Sequence, residues 1–255
     1  MEGTTLGKII VFGNKKGGVG KSLTGINLAG VMANRGDRVC IVDADTNETA
    51  NSYLRRRNDH SAKLEALGKP PLAFIKSELK RPDDSLTRDL KALSAHYDYV
   101  IVDTGGYENN AFKTALPVAD IVYIPFLPSL VDVEQIVPTL SVIRQVESTL
   151  KTIVPEYQID VRLIITIVEA QSLDLFREAR EACKNLLDFC SISGCMIKRV
   201  KAIRQLQSDG LTLADVKHKS RASFELLLDE IDGKRKVKLG RMAVSDASDT
   251  AEVGG

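Results

Sequence analysis

Lys16-Gly17-Gly18-Val19-Gly20-Lys21-Ser22 decides how this chain is read. The apolar run Lys8-Ile9-Ile10-Val11-Phe12-Gly13 precedes it and a helical pattern, Leu23 to Asn34, follows it. A strand, a glycine loop and a helix N-terminus in that order make a phosphate cradle. The glycines let successive backbone N–H groups turn inward, and the helix end adds partial positive charge. In such a cradle Lys21 sits on the β- and γ-phosphates of ATP and the Ser22 hydroxyl on Mg²⁺. Lys16, Gly17, Gly18, Val19, Gly20, Lys21, Ser22 and Leu23 are therefore the candidate cofactor-binding residues. The strict G-x-x-x-x-G-K-[ST] spacing fails, because Lys15 holds the place of its first glycine. K-G-G-x-G-K-[ST] stands instead, with Lys16 as a second lysine near the loop entrance.

Outward from the loop, apolar runs alternate with helical patterns. Lys8–Gly13, Arg38–Asp43, Tyr99–Asp103, Asp120–Phe126, Asp160–Val168 and Cys195–Val200 read as strands. They are rich in Ile and Val and apolar on both faces, as parallel strands buried between helix layers must be. Helix patterns lie at Ser22–Arg35, Thr49–Arg57, Asp84–Ala95, Val131–Ile153, Ser172–Phe189 and Ser220–Ile231. This alternation predicts an α/β fold, a doubly wound and mostly parallel sheet flanked by helices, with its ligand at the carboxyl ends of the strands. Asn58 to Arg81 is harder to read: Leu64-Glu65-Ala66-Leu67 is helical in character, Pro70-Pro71 breaks it, and Leu72–Ile75 suits a short edge strand. No composition break precedes about Asp232, so residues 1–232 read as one domain. Residues 233–255 are basic, then Ser/Ala/Asp/Gly-rich, and read as a disordered tail.

The 255 residues are 44% apolar and only 5% aromatic with no Trp, which predicts an aliphatic core. A net charge of +1 excludes any argument for nucleic acid from bulk charge, leaving local distribution to decide. Met1 to Gly7 has no signal-peptide character, and no apolar run approaches membrane-spanning length. Cys40, Cys183, Cys190 and Cys195 lack C-x-x-C or zinc spacing and read as reduced thiols of a cytoplasmic protein. His60, His96 and His218 have no metal-ligand company. Arg55-Arg56-Arg57 reads as an exposed helix face.

Three strand ends converge in such a sheet. The first carries the phosphate loop, the second ends in Asp43-Ala44-Asp45-Thr46-Asn47, and the third is Tyr99-Val100-Ile101-Val102-Asp103-Thr104-Gly105-Gly106. An apolar strand ending in aspartate behind a phosphate loop places Asp103 on Mg²⁺ or on its water. A water attacking a γ-phosphate needs an acceptor in line with it, and the protein otherwise positions groups and neutralises charge.

The doubled-lysine loop resembles the deviant Walker A box of the ParA/MinD family of dimerising ATPases. The resemblance runs from about Lys8 to Ile231, strong at the front and weaker behind. Asp43-x-Asp45 is similar to the family's D-x-D-P-Q switch I box, although Thr46-Asn47 replaces Pro-Gln. The resemblance makes Asp45 the residue that orients the attacking water, and gives Asp43 a part in Mg²⁺ hydration and loop geometry. Lys16 then reaches across a face-to-face dimer to the partner's nucleotide, so Lys16, Lys21 and Asp45 form the catalytic set and ATP becomes part of the interface. Metal-site residues are Ser22, Asp43 and Asp103. Thr104-Gly105-Gly106 stands where most relatives read Asp-Thr-Pro-Pro in switch II, and VirC-type relatives carry glycines there too. Pro125-Phe126-Leu127-Pro128-Ser129 and the Arg199–Leu213 segment are similar to later family segments.

By the same resemblance, Arg199, Lys201, Arg204, Lys217, Lys219 and Arg221 are candidates for sequence-blind contact with DNA phosphates. The expected protein is a weak, partner-stimulated ATPase that dimerises on ATP and associates with the nucleoid in that state. It would act in partition or positioning of a plasmid, a chromosome or a protein cargo, with a ParB-like or other stimulating partner. A VirC-type adaptor for conjugative DNA transfer is the alternative. A MinD-like membrane role is disfavoured, because Lys234-Arg235-Lys236-Val237-Lys238-Leu239 has no aromatic residue and no sustained apolar face. A P-loop kinase lacks a tyrosine-rich tail or an acceptor-site motif.

Overall fold

The computed structural model describes residues 6–106, 108–168, 173–235 and 239–240. Strands β1 (Lys8–Phe12), β2 (Val39–Ala44), β3 (Lys76–Leu79), β4 (Tyr99–Thr104), β5 (Ile121–Phe126), β6 (Val161–Val168), β7 (Ser191–Lys198) and β8 (Leu239–Gly240) form one sheet. Its order is β3-β2-β4-β1-β5-β6-β7-β8, parallel throughout except for β8, which pairs antiparallel with β7. Helices α1 (Lys21–Arg35), α2 (Thr49–Ala66), α3 (Thr87–Ser94), α4 (Asn110–Ala115), α5 (Leu130–Glu134), α6 (Ile136–Lys151), α7 (Leu173–Ala182), α8 (Ile203–Ser208) and α9 (Arg221–Ile231), with short 3-10 turns at Leu116–Val118 and Lys184–Leu186, complete the described elements.

Side chains alternate across a strand, so each buried strand feeds two cores. In β1, Ile9 and Val11 enter one core with Leu90 of α3, Phe112 of α4 and Leu140 of α6. Ile10 and Phe12 enter the other with Leu28 and Met32 of α1, Leu54 of α2 and Leu227 of α9. The predicted three-layer fold is the one observed. Register Phe12↔Asp103 between β1 and β4, and Asp43↔Asp103 between β2 and β4, brings three strand ends level at the same edge. That alignment builds the site.

Several predicted boundaries move. The expected helix Val131–Ile153 divides into α5 and α6. Pro138 explains this: it has no N–H to give and its ring crowds the carbonyl four residues back, so it is tolerated only in the first turn of a new helix. α2 runs to Ala66 and absorbs the helical Leu64–Ala66 stretch, while the edge strand forms at Lys76–Leu79 rather than Leu72–Ile75. β7 begins at Ser191, four residues before the predicted Cys195, since the Ser191-Ile192-Ser193 stretch is buried through polar bonding. Ser193 Oγ donates to Glu230 Oε2 at 3.0 Å. The six-residue α4 and α8 were not predicted; each is too short to show a periodicity. Within the expected tail, Leu239 and Gly240 pair with Ile192 and Ser191. Residues 1–5, 236–238 and 241–255 lie outside the described residues, as does Ser172 at the expected start of α7.

Candidate nucleotide site

The phosphate loop joins β1 to α1 and is pinned from outside. Asn14 is buried; its Nδ2 donates to Pro125 O at 2.8 Å and its Oδ1 accepts from Lys16 N–H at 3.1 Å. Gly18 and Gly20 lie in the left-handed region, at φ 75° and 84°, where a side chain is costly. Gly20 is the N-cap of α1 and offers no side chain to cap it, so the helix's first amides stay available for a ligand. Val19 turns fully inward. Lys21 is buried at the cradle floor, with Nζ 3.4 Å from Lys16 O. Burial pushes its pKa down, opposed by the charges of Asp103 and Asp45.

The three predicted aspartates come together, each in a different setting. Asp103 is 1% exposed and neither carboxylate oxygen has a hydrogen-bond partner. Burial raises its pKa to about 7; the Ser22 hydroxyl lies close enough to oppose that shift without completing a bond of normal geometry. A buried carboxylate left without donors, beside a serine hydroxyl, is what a cation would complete. Among the described residues no group of three or more His, Cys, Asp or Glu forms a metal cage. The pair instead suits Mg²⁺, which takes one or two protein oxygens together with substrate phosphates.

Asp43 is also buried, but fully engaged. Its Oδ1 accepts from Asp45 N–H at 3.1 Å and its Oδ2 from Asn51 N–H at 2.8 Å, tying the loop to the first turn of α2. Burial raises its pKa against those bonds. Its geometry therefore serves the loop. Asp45 is half-buried, and its Oδ1 accepts from Asn47 N–H at 3.0 Å and Asn47 Nδ2 at 3.1 Å, a local turn that holds the carboxylate at the cleft.

Lys16 does not project into solvent. Its Nζ lies 2.8 Å from Asp132 Oδ1, an ion pair without hydrogen-bond alignment, with side-chain exposures of 35% and 5%. Asp132 stands in the first turn of α5, its N–H capped by Ser129 and its carboxylate bonded to the Ser129 hydroxyl. Sequence reading missed this partner, because α5 is separated from the loop by more than a hundred residues.

A cleft of about 1130 Å³ opens over the loop. Gly17, Gly18, Gly20, Lys21, Ser22, Leu23, Asp45 and Gly105 line its phosphate end; Ile197, Val200, Lys201, Ile203 and Gln207 line the far end. Arg199 and Lys201, proposed for DNA, thus sit on the rim of this cleft. Lys217 and Lys219 are exposed elsewhere, and Arg221 pairs with Glu225 at 2.7 Å. The Arg204 side chain lies outside the described residues.

Arg57 departs furthest from the exposed face expected for Arg55–Arg57. It is 1% exposed and forks onto Asp215 at 2.6 and 2.9 Å, with further bonds to the carbonyls of Ala73 and Gly210. Gly210, at φ 66°, packs so close that a Cβ there would fall 2.2 Å from Arg57 N. Together these bonds fasten α2 to the chain that follows α8.

A parallel sheet with a pinned phosphate loop, a buried lysine and an orphaned strand-end carboxylate defines a P-loop nucleotide-binding domain of the deviant Walker type. The family model described as ATPase MipZ matches residues 8–238, and the chain belongs to that family, within the ParA/MinD group of ATPases. The chromosome partitioning protein ParA of Myxococcus xanthus is 31% identical over 171 residues, covering 55% of this chain and 60% of that protein. The chain thus spans about three-fifths of that relative's length. The maintenance of carboxysome distribution protein A of Gloeobacter kilaueensis is 25% identical over 231 residues, 88% of this chain and 94% of its own. A solved plasmid partition protein of Borrelia burgdorferi bound to AMPPNP superposes with a TM-score of 0.62 at 19% identity, covering 90% of this chain and all of that one, a likeness of fold. No helix among the described residues is long and apolar enough to cross a membrane.

Proposed function

We propose that this chain is a nucleotide-operated positioning switch of the ParA type: it binds ATP with Mg²⁺, dimerises, hydrolyses slowly, and releases. The observation that carries this reading is the unpartnered Asp103 carboxylate facing Ser22 and Lys21 beside the phosphate loop. Ser22 and Asp103 would hold Mg²⁺ there, and the ion would supply positive charge against the transferring phosphoryl group. Lys21 supplies a second, buried positive charge to the β- and γ-phosphates. Asp45 orients the attacking water, and to do so it exchanges its bonds from Asn47 for one from that water. Lys16 leaves Asp132 and offers its charge to the nucleotide of a second copy, as an arginine finger does.

In this reading residues 1–232 carry the ATPase domain and 233–255 follow as a tail that returns to its sheet at Leu239–Gly240. The dimer places its basic residues, Lys217 and Lys219 foremost, against DNA phosphates, and a ParB-like or other partner stimulates turnover. The protein is cytoplasmic and joins the nucleoid when ATP is bound. Gel filtration of D45A tests the core of this reading: a dimer with ATP and Mg²⁺ and a monomer with ADP are expected, with phosphate released into solution by the native chain. A profile indifferent to ATP overturns it.

A further inference from the structure

The end of β6 breaks a rule of strand geometry. Successive side chains of a strand point to opposite faces, so neighbours do not share a target. Yet Thr166 and Ile167 both reach the phosphate loop. The buried Thr166 hydroxyl lies 2.6 Å from Val19 O and 3.1 Å from Phe126 O, and its single proton favours the nearer carbonyl. Ile167 Cδ1 and Cγ1 lie 3.6 Å from the position of a Cβ on Gly20, so its side chain covers that glycine from the cleft wall.

The backbone makes this double contact by an unusual conformation. Ile167 has φ 55°, in the left-handed region that a β-branched residue avoids. The β6–β7 register shifts twice along this stretch, once between Leu163 and Ile165 and again, across Ile167 itself, between Ile165 and Val168. Such irregularities re-aim side chains and gather at functional sites. Here the irregularity turns two consecutive side chains toward one loop.

Its consequence follows from the peptide plane. In a trans peptide the carbonyl of one residue and the N–H of the next point in opposite directions. Thr166 draws the Val19 carbonyl outward, toward β6. The Gly20 N–H is therefore aimed the other way, into the cradle, while Gly20 O is already committed to Thr24 N–H at 2.8 Å. We propose that Thr166 and Ile167 are positioning residues for the phosphate subsite: Thr166 aims the Gly20 amide at a bound phosphate, and the strained Ile167 holds Gly20 against rotation.

This inference rests on the nucleotide reading of the cleft. The test is binding of ATP, ADP and adenosine to the full chain, by titration calorimetry and competition, with the melting temperature of the ligand-free protein measured alongside. The native chain is expected to bind ATP. T166V, which keeps shape and loses the hydroxyl, is expected to weaken ATP and ADP at least tenfold while leaving adenosine within twofold. T166S restores the hydroxyl and brings ATP affinity back within threefold of native. I167G relieves the strained φ and removes the cover, so it holds the native melting temperature while ATP affinity falls at least fivefold. Should T166V fail to fold, I167G still decides the matter. ATP affinity unchanged in T166V and I167G, or equal losses for ATP and adenosine, overturns the proposal and leaves the nucleotide reading intact. A native chain that binds no ATP overturns both.

Discussion

Asp103→Asn is expected to make the ligand-free protein more stable and its Mg²⁺ site worthless. The native carboxylate is 1% exposed and both of its oxygens lack a hydrogen bond. An unpaired buried charge costs several kcal/mol, and the isosteric amide removes that charge. The amide leaves its own polar atoms short of partners, at about 1–3 kcal/mol, so the net gain is about 1–3 kcal/mol. For a chain of this size that raises the melting temperature by roughly 2–4 °C per kcal/mol. Binding moves the other way. The Mg²⁺-dependent tightening of ATP should fall at least tenfold, about 1.4 kcal/mol, while Mg²⁺-free ATP binding stays near native. Thermal denaturation in chelator and calorimetric ATP titrations with and without Mg²⁺ read the two signs separately. A lower melting temperature, or an Mg²⁺ effect as large as the native one, would falsify the assignment of Asp103 as a carboxylate kept for the metal.

Asp132→Asn should ease ATP-dependent dimerisation. If each Lys16–Asp132 pair contributes about 1 kcal/mol to the unpaired protomer, two released pairs tighten the dimer about 30-fold; ultracentrifugation in a D45A background checks this, and K16A should erase the gain. Asp45→Ala should slow phosphate release at least a hundredfold and change ATP affinity little, as single-turnover assays would read. Arg57→Met leaves Asp215 buried without its partner and should cost about 3–5 kcal/mol, lowering the melting temperature by about 10 °C. Asp232 is pushed up by burial, but bonds from Tyr99, Arg35 and Lys234 outweigh that and hold it at about 2. A lowered carboxylate pKa stabilises the fold fully above the unfolded value of 3.8 and loses that contribution as pH falls through about 2. Urea titrations between these limits should show the acid loss in the native chain and a flatter limb in D232N.

The sheet and the phosphate end of the site were legible in sequence because both rest on local signals. Ile/Val runs mark buried strands, and a glycine loop between strand and helix is contiguous. Asp103 was legible because it closes an apolar strand behind the loop, and Asp43 and Asp45 because they match the switch I box where the second strand runs out. What escaped depends on pairings across the fold. Arg57 sits in a run of three arginines that looks solvated, and only Asp215, far along the chain, makes it a core residue. Asp132 looks like an ordinary first-turn acid until α5 is seen beside Lys16. Asn14, Thr166 and Ile167 support the loop through backbone carbonyls and shape, which leave no composition signal. Arg199 and Lys201 registered as basic charge, but the sequence carried no sign that the turn after β7 bends them onto the cleft rim.

That last placement has a thermodynamic corollary. Any polyanion gripped by Arg199 and Lys201 would share a boundary with the bound nucleotide, so neither ligand can be indifferent to the other. Whatever factor ATP imposes on the polyanion's affinity, the polyanion must return to ATP. One such reciprocal measurement, made from both directions, would give the same free energy twice.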